Sequence, residues 1–415
     1  MPDAQASYQG QLLRDWYSAP SHEQDRIWNG QTQKCLQIAL VQTSLGQGYG
    51  AAGDLGRTWE WLDHLAFLSA IENFPGAWVA NVLASGTQGD SPLGFDTERE
   101  PGSWLAVEPS VPIPIDMEAD ALAQRIENQD TEALLPLLVS MGEDQQARQV
   151  VLDRVALRMA EDSYGDGVRS ILFQQWRRTA AALPSPLFAA VTITCLRLHW
   201  HLPNGACVAV PEGRAECPVG GNNSKPLLQS LRERDLGSYM GHIRAMGDQP
   251  VGALRQLFIA VALMVLEYPE GPGLEGLGRL YLWLGSVLAI AHRSLRRSRR
   301  ILFSAAASVF RHGGWQAQKE WPAYASLVTF HHALQQGESP EIRTDWQKTL
   351  WAHSGNGDAD AWWMARAEQY GMHTATAGAH ASFWAIWQQA RVAGSQTGGP
   401  LAWIHPLVLQ RLFPV

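Results

Sequence analysis

The chain is poor in charged residues, in cysteine and in the alternating pattern of β-strands. Charged residues make up 17% of its 415 residues, while hydrophobic residues make up 46%. This composition excludes an intrinsically disordered chain and favours extensive burial, or coverage of surface in a homo-oligomer. The net charge of −8 argues against a general nucleic-acid-binding protein. Four cysteines in a chain of this length do not make a disulfide framework.

Targeting and membrane-spanning signals are also missing. The N-terminus has no basic segment followed by an apolar core, so no secretory signal is expected. The longest apolar runs, 257–266 and 281–291, are shorter than a bilayer span, and Glu267 and Arg279 interrupt their extension. We therefore expect a soluble cytoplasmic protein without membrane or nucleic-acid partners.

Helical periodicity dominates what is present. Leu55, Trp59, Leu62 and Ala66 recur along one side of a helix, and similar spacings fill most of the chain beyond residue 117. The helices predicted there include 226–236, 251–267, 277–292, 294–311 and 374–393. The stretch 86–116 is rich in Gly and Pro and has no period. The sequence predicts an all-α fold with an N-terminal helical region (1–85), a Pro/Gly-rich connection (86–116) and a main helical domain (117–415).

Two motifs suggest chemistry but are weak. Gly48, Gly50 and Gly53 spell G-x-G-x-x-G, as in a dinucleotide-binding turn, but the preceding residues favour a helix over a strand. A Cys/His cluster matches no common zinc spacing, so ordinary loop residues are favoured over a structural zinc site. The members of that cluster are Cys195, His199, His201, Cys207 and Cys217.

A basic run extends over residues 293–300. It suggests a site for phosphate, carboxylate or nucleic acid, but a solvated helix face is favoured because no aromatic residues interleave and the chain is acidic. A third possibility is that one or two of its arginines pair with an acidic cofactor group. The arginines are Arg293, Arg296, Arg297, Arg299 and Arg300.

The stretch 371–400 combines more functional residue types than any other. His373 and His380 are seven residues apart, about two helical turns, and so are expected on one face of a helix. Trp384, Trp387 and Arg391 continue that stripe. A glycine-rich segment follows and is expected to form a mobile flap. An equally favoured alternative is a core helix with incidental histidines. The flap residues are Gly394, Thr397, Gly398 and Gly399.

The C-terminal residues also carry a resemblance. His380 is followed by Thr397-Gly398-Gly399 and then by Leu412-Phe413-Pro414 at the end of the chain. This order resembles the haem-dependent aromatic oxygenases, the group of tryptophan and indoleamine dioxygenases. Those enzymes have a proximal haem histidine on a late helix, a Gly-Thr-Gly-Gly-type loop, and a short terminal helix often ending in Phe-Pro. Near the N-terminus, Gly30 stands where the tryptophan enzymes have a distal histidine, which the indoleamine branch also lacks.

The resemblance implies a haem b cofactor with iron bound by His380, and with His373 as the reserve ligand. It implies that Trp384 and Trp387 wall the macrocycle and that Arg391 pairs with a propionate. Thr397, Gly398 and Gly399 would then order over a small aromatic substrate. The implied activity is insertion of oxygen from O₂ into an indole or another aromatic amino-acid-like substrate. The alternatives are a non-haem-iron or cofactor-free oxygenase, and a non-enzymatic helical partner-binding protein.

Overall fold

The computed structural model confirms the all-α prediction. Of the residues that it describes, 90% are helical and none lies in a strand. The described residues are 11–12, 15–16, 18–29, 74–85, 115–162, 167–183, 185–201, 227–268, 272–291, 295–312, 336, 345–354, 359–371, 379–397 and 400–414.

Sixteen α-helices and one 3₁₀ turn make up the regular structure of the described part. In chain order they are α1 (Ser21–Trp28), α2 (Gly76–Ser85), α3 (Ile115–Glu127), α4 (Thr131–Glu143), α5 (Gln145–Asp162), α6 (Gly167–Ala182), α7 (Ser185–His201) and α8 (Leu227–Arg232). They continue with α9 (Leu236–Ala245), α10 (Pro250–Glu267), α11 (Pro272–Ala291), α12 (Leu295–His312), α13 (Asp345–Ser354), α14 (Ala359–Gly371), α15 (Ala379–Thr397), a 3₁₀ turn (Pro400–Trp403) and α16 (Ile404–Leu412).

The chain forms two compact units, neither of which is one continuous segment. Unit 1 comprises Met1–Met159, Ile171–Pro203 and Glu368–Ala385. Unit 2 comprises Ala160–Ser170, Asn204–Ala367 and Ile386–Val415. The predicted connection at 86–116 lies outside the described residues up to position 114, and α3 begins at Ile115. A domain boundary there stays a prediction.

Unit 1 is organised around the close approach of α4 and α7. A Cβ on Gly142 of α4 would come within 2.8 Å of Ser185 Oγ and 3.0 Å of the Phe188 ring on α7. Glycine therefore lets the two helices approach more closely than any larger residue would. Ser185 Oγ fixes the pair by donating a hydrogen bond to Val139 O at 2.5 Å.

Arg148 joins three helix ends in unit 1. Its Nη1 donates to Leu183 O, just after α6, at 2.6 Å, and its Nε donates to Gly142 O, in the last turn of α4, at 3.1 Å. The guanidinium also lies 4.9 Å from the centroid of the Phe188 ring on α7. Burial lowers the pKa of Arg148. This arginine satisfies carbonyl groups that the helix ends leave without an intrahelical partner.

Unit 2 is built on α10, which contacts α11, α12 and α16. The apolar side chains of α10 and α11 are buried along most of both helices. Phe258 of α10 stacks on Tyr281 of α11 with ring centroids 4.6 Å apart. Helix α16 packs against this pair, and its Arg411 donates to Tyr268 O at 2.8 Å.

Helices α10 and α11 extend beyond the apolar runs 257–266 and 281–291. Pro250–Glu267 and Gly273–Ala291 are each long and apolar enough to cross a bilayer by length and composition. The expectation that these segments are too short to span a bilayer is therefore wrong. Most of each segment is buried inside the protein, as in the core helices of soluble proteins. The absence of a membrane partner stays a prediction.

One described helix was not predicted, because its start depends on turn chemistry. Arg234 adopts φ 58°, which ends α8, and Asp235 then caps α9 by accepting a hydrogen bond from Ser238 N at 3.0 Å. A carboxylate at this position satisfies a backbone N–H that the first helical turn leaves unpaired. The predicted helix 226–236 therefore ends early, and a new helix begins where a connection was expected.

Candidate functional site

The predicted site lies on α15 and its flanks, and the structure covers only part of it. The predicted helix 374–393 is found as Ala379–Thr397, shifted toward the C-terminus. His373 lies outside the described residues. His380 is the second residue of α15, and only its backbone belongs to the described part. The expectation that both histidines share one face therefore stays a prediction.

Trp384 of α15 is fully enclosed by protein aromatic rings in unit 1. Its ring centroid lies 5.8 Å from that of Phe74 and 5.2 Å from that of Phe383, both in edge-on geometry. Trp78 of α2 adds a third ring at 6.4 Å. The side chain of Trp384 is 0% exposed. Edge-on contacts of this kind are favourable because the positive ring edge meets the negative ring face.

Trp387 is enclosed in the same way within unit 2. Its Nε1 donates a hydrogen bond to Trp363 O at 3.0 Å, and the two rings meet edge-on with centroids 6.1 Å apart. The guanidinium of Arg391, one turn later, lies 5.5 Å from the Trp387 ring centroid. The ring is 1% exposed and its polar N–H is satisfied.

Arg391 is the cation of the predicted stripe, and it is held loosely. Its side chain is 33% exposed, and its Nε lies 4.0 Å from Asp360 Oδ1, whose side chain is 82% exposed. An ion pair this long and this exposed contributes less than about 1 kcal/mol. The guanidinium is therefore suited to bind another carboxylate when one is present.

Part of the predicted flap is helical. Gly394 lies inside α15 and is buried, with Ala402 O 3.4 Å from the point where a Cβ would stand. Its assignment to a mobile loop was wrong, because the helix continues through it to Thr397. Gly398 and Gly399 lie between the helix and the 3₁₀ turn, outside the described residues.

The fit of these residues to a haem group is mixed. A side chain lining a haem-sized cavity would expose surface to that cavity even where bulk solvent is excluded, whereas Trp384 is 0% and Trp387 1% exposed. A macrocycle beside either ring would have to displace the protein rings that now cover it. These two residues therefore do not fit as macrocycle walls. The imidazole of His380 and the guanidinium of Arg391 have chemistry that suits an axial ligand and a carboxylate partner.

The weaker sequence motifs gain no support. The glycines at 48–53 and the loop cysteines Cys207 and Cys217 lie outside the described residues. Cys195 and His199 are both buried on α7, and burial raises the pKa of the Cys195 thiol well above its usual range. Within the described part of the chain, no group of three or more His, Cys, Asp or Glu side chains is close enough to hold a metal ion.

A buried histidine that the sequence analysis missed lies on the terminal helix. His405 is 2% exposed, shares a 2.8 Å hydrogen bond between its Nδ1 and Tyr281 Oη, and stacks on Phe258 with centroids 5.5 Å apart. Burial lowers its pKa to about 4, so the ring is neutral at physiological pH. Its only signal in the sequence is its position among apolar residues in 403–409. The burial of its partner similarly raises the pKa of Tyr281.

Comparisons with known proteins found no match, so any functional assignment rests on the residues of this chain. No protein-family model matches the chain, and no curated protein and no solved structure matches it significantly. The class of protein defined so far is therefore an all-α protein with two compact units.

Proposed function

We propose that the chain is a haem-dependent oxygenase that inserts oxygen from O₂ into an indole or another aromatic amino-acid-like substrate. The observation that carries the proposal is the order of the C-terminal elements. His380 belongs to the first turn of the late helix α15, Gly398-Gly399 follow that helix in the sequence, and Phe413-Pro414 follow α16. The resemblance implies the same order.

His380 is the proposed axial ligand, and His373 is the reserve. A neutral imidazole is a good donor to haem iron and leaves the opposite face of the macrocycle open. Haem b, when bound, would supply the iron centre at which O₂ is activated. Arg391 is the proposed partner for a carboxylate, because its side chain is 33% exposed and its ion pair with an exposed aspartate is long.

The proposal gives Thr397, Gly398 and Gly399 the task of holding the substrate. Thr397 ends α15, and the glycines that follow would carry backbone N–H groups toward a substrate carboxylate. Trp384 and Trp387 are assigned a different task from the one first expected. Their side chains are buried in aromatic contacts of each unit, and these contacts hold in place the helix α15 that carries His380.

One observation favours a second candidate, a non-enzymatic helical protein that binds a partner protein. The aromatic stripe of α15 is covered by protein side chains, as expected if α15 is a core helix with no ligand role. The two candidates differ in one property that can be measured, which is binding of haem.

The test is haem reconstitution of the purified full chain followed by visible spectroscopy. The proposal expects a Soret band, its loss in His380→Ala and its retention in Trp351→Phe, a conservative change elsewhere. Circular dichroism and thermal melting of both variants check that they fold. If the wild-type chain forms no Soret band, or if His380→Ala keeps it unchanged, the haem assignment is overturned. Iron in the purified protein without haem would instead favour the non-haem-iron alternative.

A further inference from the structure

Charge is strongly segregated along the second half of the chain. No Asp or Glu stands between Glu275 and Glu320, although the chain contains 40 acidic residues. A chain of net charge −8 thus carries one long segment of purely positive character. The cations in that segment are Arg279, Arg293, Arg296, Arg297, Arg299, Arg300, Arg311 and Lys319.

The helix register of α12 separates the arginines of this segment from its apolar residues. At about 100° per residue, positions 296, 297, 299 and 300 centre roughly 170° away from the buried positions of the same helix. Arg299 is exposed, as this register requires. The buried positions are Ile301, Leu302, Ala305, Ala306 and Val309.

The apolar side of α12 is held in unit 2, so the basic side is directed away from that core. Tyr239 of α9 donates its hydroxyl proton to Ala306 O at 2.9 Å, and α12 also packs against α10 and α11. Burying this face fixes the orientation of the helix about its own axis. The arginine positions are then fixed in register on the side of the helix opposite its buried face.

Helix α9 extends the basic surface and adds an exposed apolar residue. Arg234 donates to Phe310 O at 2.8 Å, and Arg244 is exposed near the opposite end of α9. Leu236, at the start of α9, is 48% exposed, which is unusual for a large apolar side chain in the described part. Glu233 and Asp248 are the exposed acidic residues of this neighbourhood.

We propose that the arginine face of α12, together with exposed residues at the two ends of α9, binds an anionic lipid surface. We define this basic face as positions 296, 297, 299 and 300 with Arg234, Arg244 and Leu236. Clusters of four or more arginines on an amphipathic helix bind phosphatidylserine-rich surfaces electrostatically, and an exposed apolar residue inserts at the lipid interface. This is attachment at the membrane surface, and neither α10 nor α11 has to leave the protein core.

Lipid is favoured over nucleic acid by the residues that accompany the arginines. Residues 293–300 contain only Arg, Ser and Leu, so none can stack on a base or read a base edge with an amide. An exposed leucine gains nothing from a phosphate backbone but gains from burial in a lipid interface. The inference is independent of the haem proposal, since it uses different residues and a different measurement.

The experiment measures co-sedimentation of the purified full chain with vesicles of phosphatidylcholine containing about one-third phosphatidylserine. The test variant is Arg296→Gln/Arg300→Gln. The matched control is Arg154→Gln/Arg255→Gln, which removes the same charge at two exposed positions outside the basic face. We expect the test variant to bind about 30-fold more weakly, or about 2 kcal/mol at 1.4 kcal/mol per tenfold change.

Further measurements support or overturn the proposal. Binding should vanish on pure phosphatidylcholine and should weaken as salt rises, because exposed charges are screened. Leu236→Gln should weaken binding to vesicles. Equal losses in the test and control variants, or no binding by the wild-type chain to anionic vesicles, would overturn the lipid assignment. Equally tight binding of a DNA duplex at the same salt concentration would overturn it in favour of a general polyanion site.

Discussion

His405 makes a sharp prediction about the acid stability of the terminal helix. Its imidazole is buried against Phe258 and Tyr281, and burial lowers its pKa from the ordinary 6.5 to about 4. The unfolded chain therefore binds more protons than the folded chain between those two values. Stability contributed by the neutral ring is fully present above about pH 6.5 and decreases as the pH falls toward 4.

The size of the effect follows from the shift. A difference of about 2.5 pH units at about 1.4 kcal/mol per unit gives roughly 3 kcal/mol across the whole window. The loss is nearly complete at pH 4 and levels off below it, because the folded ring is half protonated at that pH while the unfolded ring is almost fully protonated. Release of α16 should follow, since Tyr281 and Phe258 hold it through this ring.

The assay is hydrogen exchange of the backbone amides of α16, corrected for the intrinsic exchange rate at each pH. It is measured on the wild-type chain and on His405→Phe between pH 7.5 and 4.5. The Phe variant keeps the stacking on Phe258 but cannot titrate. It should be less stable than wild type at pH 7.5, because Tyr281 Oη loses its partner, and its opening free energy should fall less steeply with acid. Parallel pH curves for the two proteins would refute the reasoning.

Four other substitutions, three tests and one control, probe the packing of the two units by thermal unfolding. Gly142→Ala should destabilise unit 1 by about 1–3 kcal/mol, because its Cβ would meet Ser185 Oγ at 2.8 Å. Gly252→Ala on α10 should stabilise by up to about 1 kcal/mol, because its Cβ would meet nothing nearer than 4.0 Å. Equal effects of the two changes would contradict the close approach of α4 and α7. Arg148→Met should cost about 1–3 kcal/mol, because Leu183 O and Gly142 O lose their donor, and a neutral outcome would mean that water replaces it. Trp387→Leu should cost about 3–5 kcal/mol through lost packing and a lost hydrogen bond to Trp363 O, while a change under about 1 kcal/mol would show that the ring is not part of the core.

The helical character and the core of unit 2 could be predicted from periodicity. The predicted helix at 251–267 matches α10 nearly residue for residue, and those at 277–292 and 294–311 correspond to α11 and α12. These segments are long and carry a continuous apolar pattern. Such a pattern indicates the helix from the sequence alone, without knowledge of its tertiary partners.

The predictions that failed depend on local chemistry or on distant partners. The start of α9 is set by the left-handed conformation of Arg234 and the capping carboxylate of Asp235, neither of which has a periodic signal. Gly394 lies within α15, and its close approach to Ala402 O is a tertiary contact that sequence spacing does not indicate.

The candidate site was the least predictable part. Trp384 and Trp387 have the helical spacing expected of pocket walls, but the same spacing suits a core helix. Only the positions of Phe74 and Trp363, far away in the sequence, distinguish the two possibilities. His405 carried no motif at all, and its importance comes entirely from the burial and the hydroxyl partner that folding provides.

The central claim is that His380 binds haem, and a haem titration of the purified full chain tests it most directly. The account predicts a saturable Soret band at one haem per chain, which is lost in His380→Ala while the variant keeps the wild-type circular dichroism spectrum. A chain that develops no saturable band, or a His380→Ala variant that titrates like wild type, would contradict it.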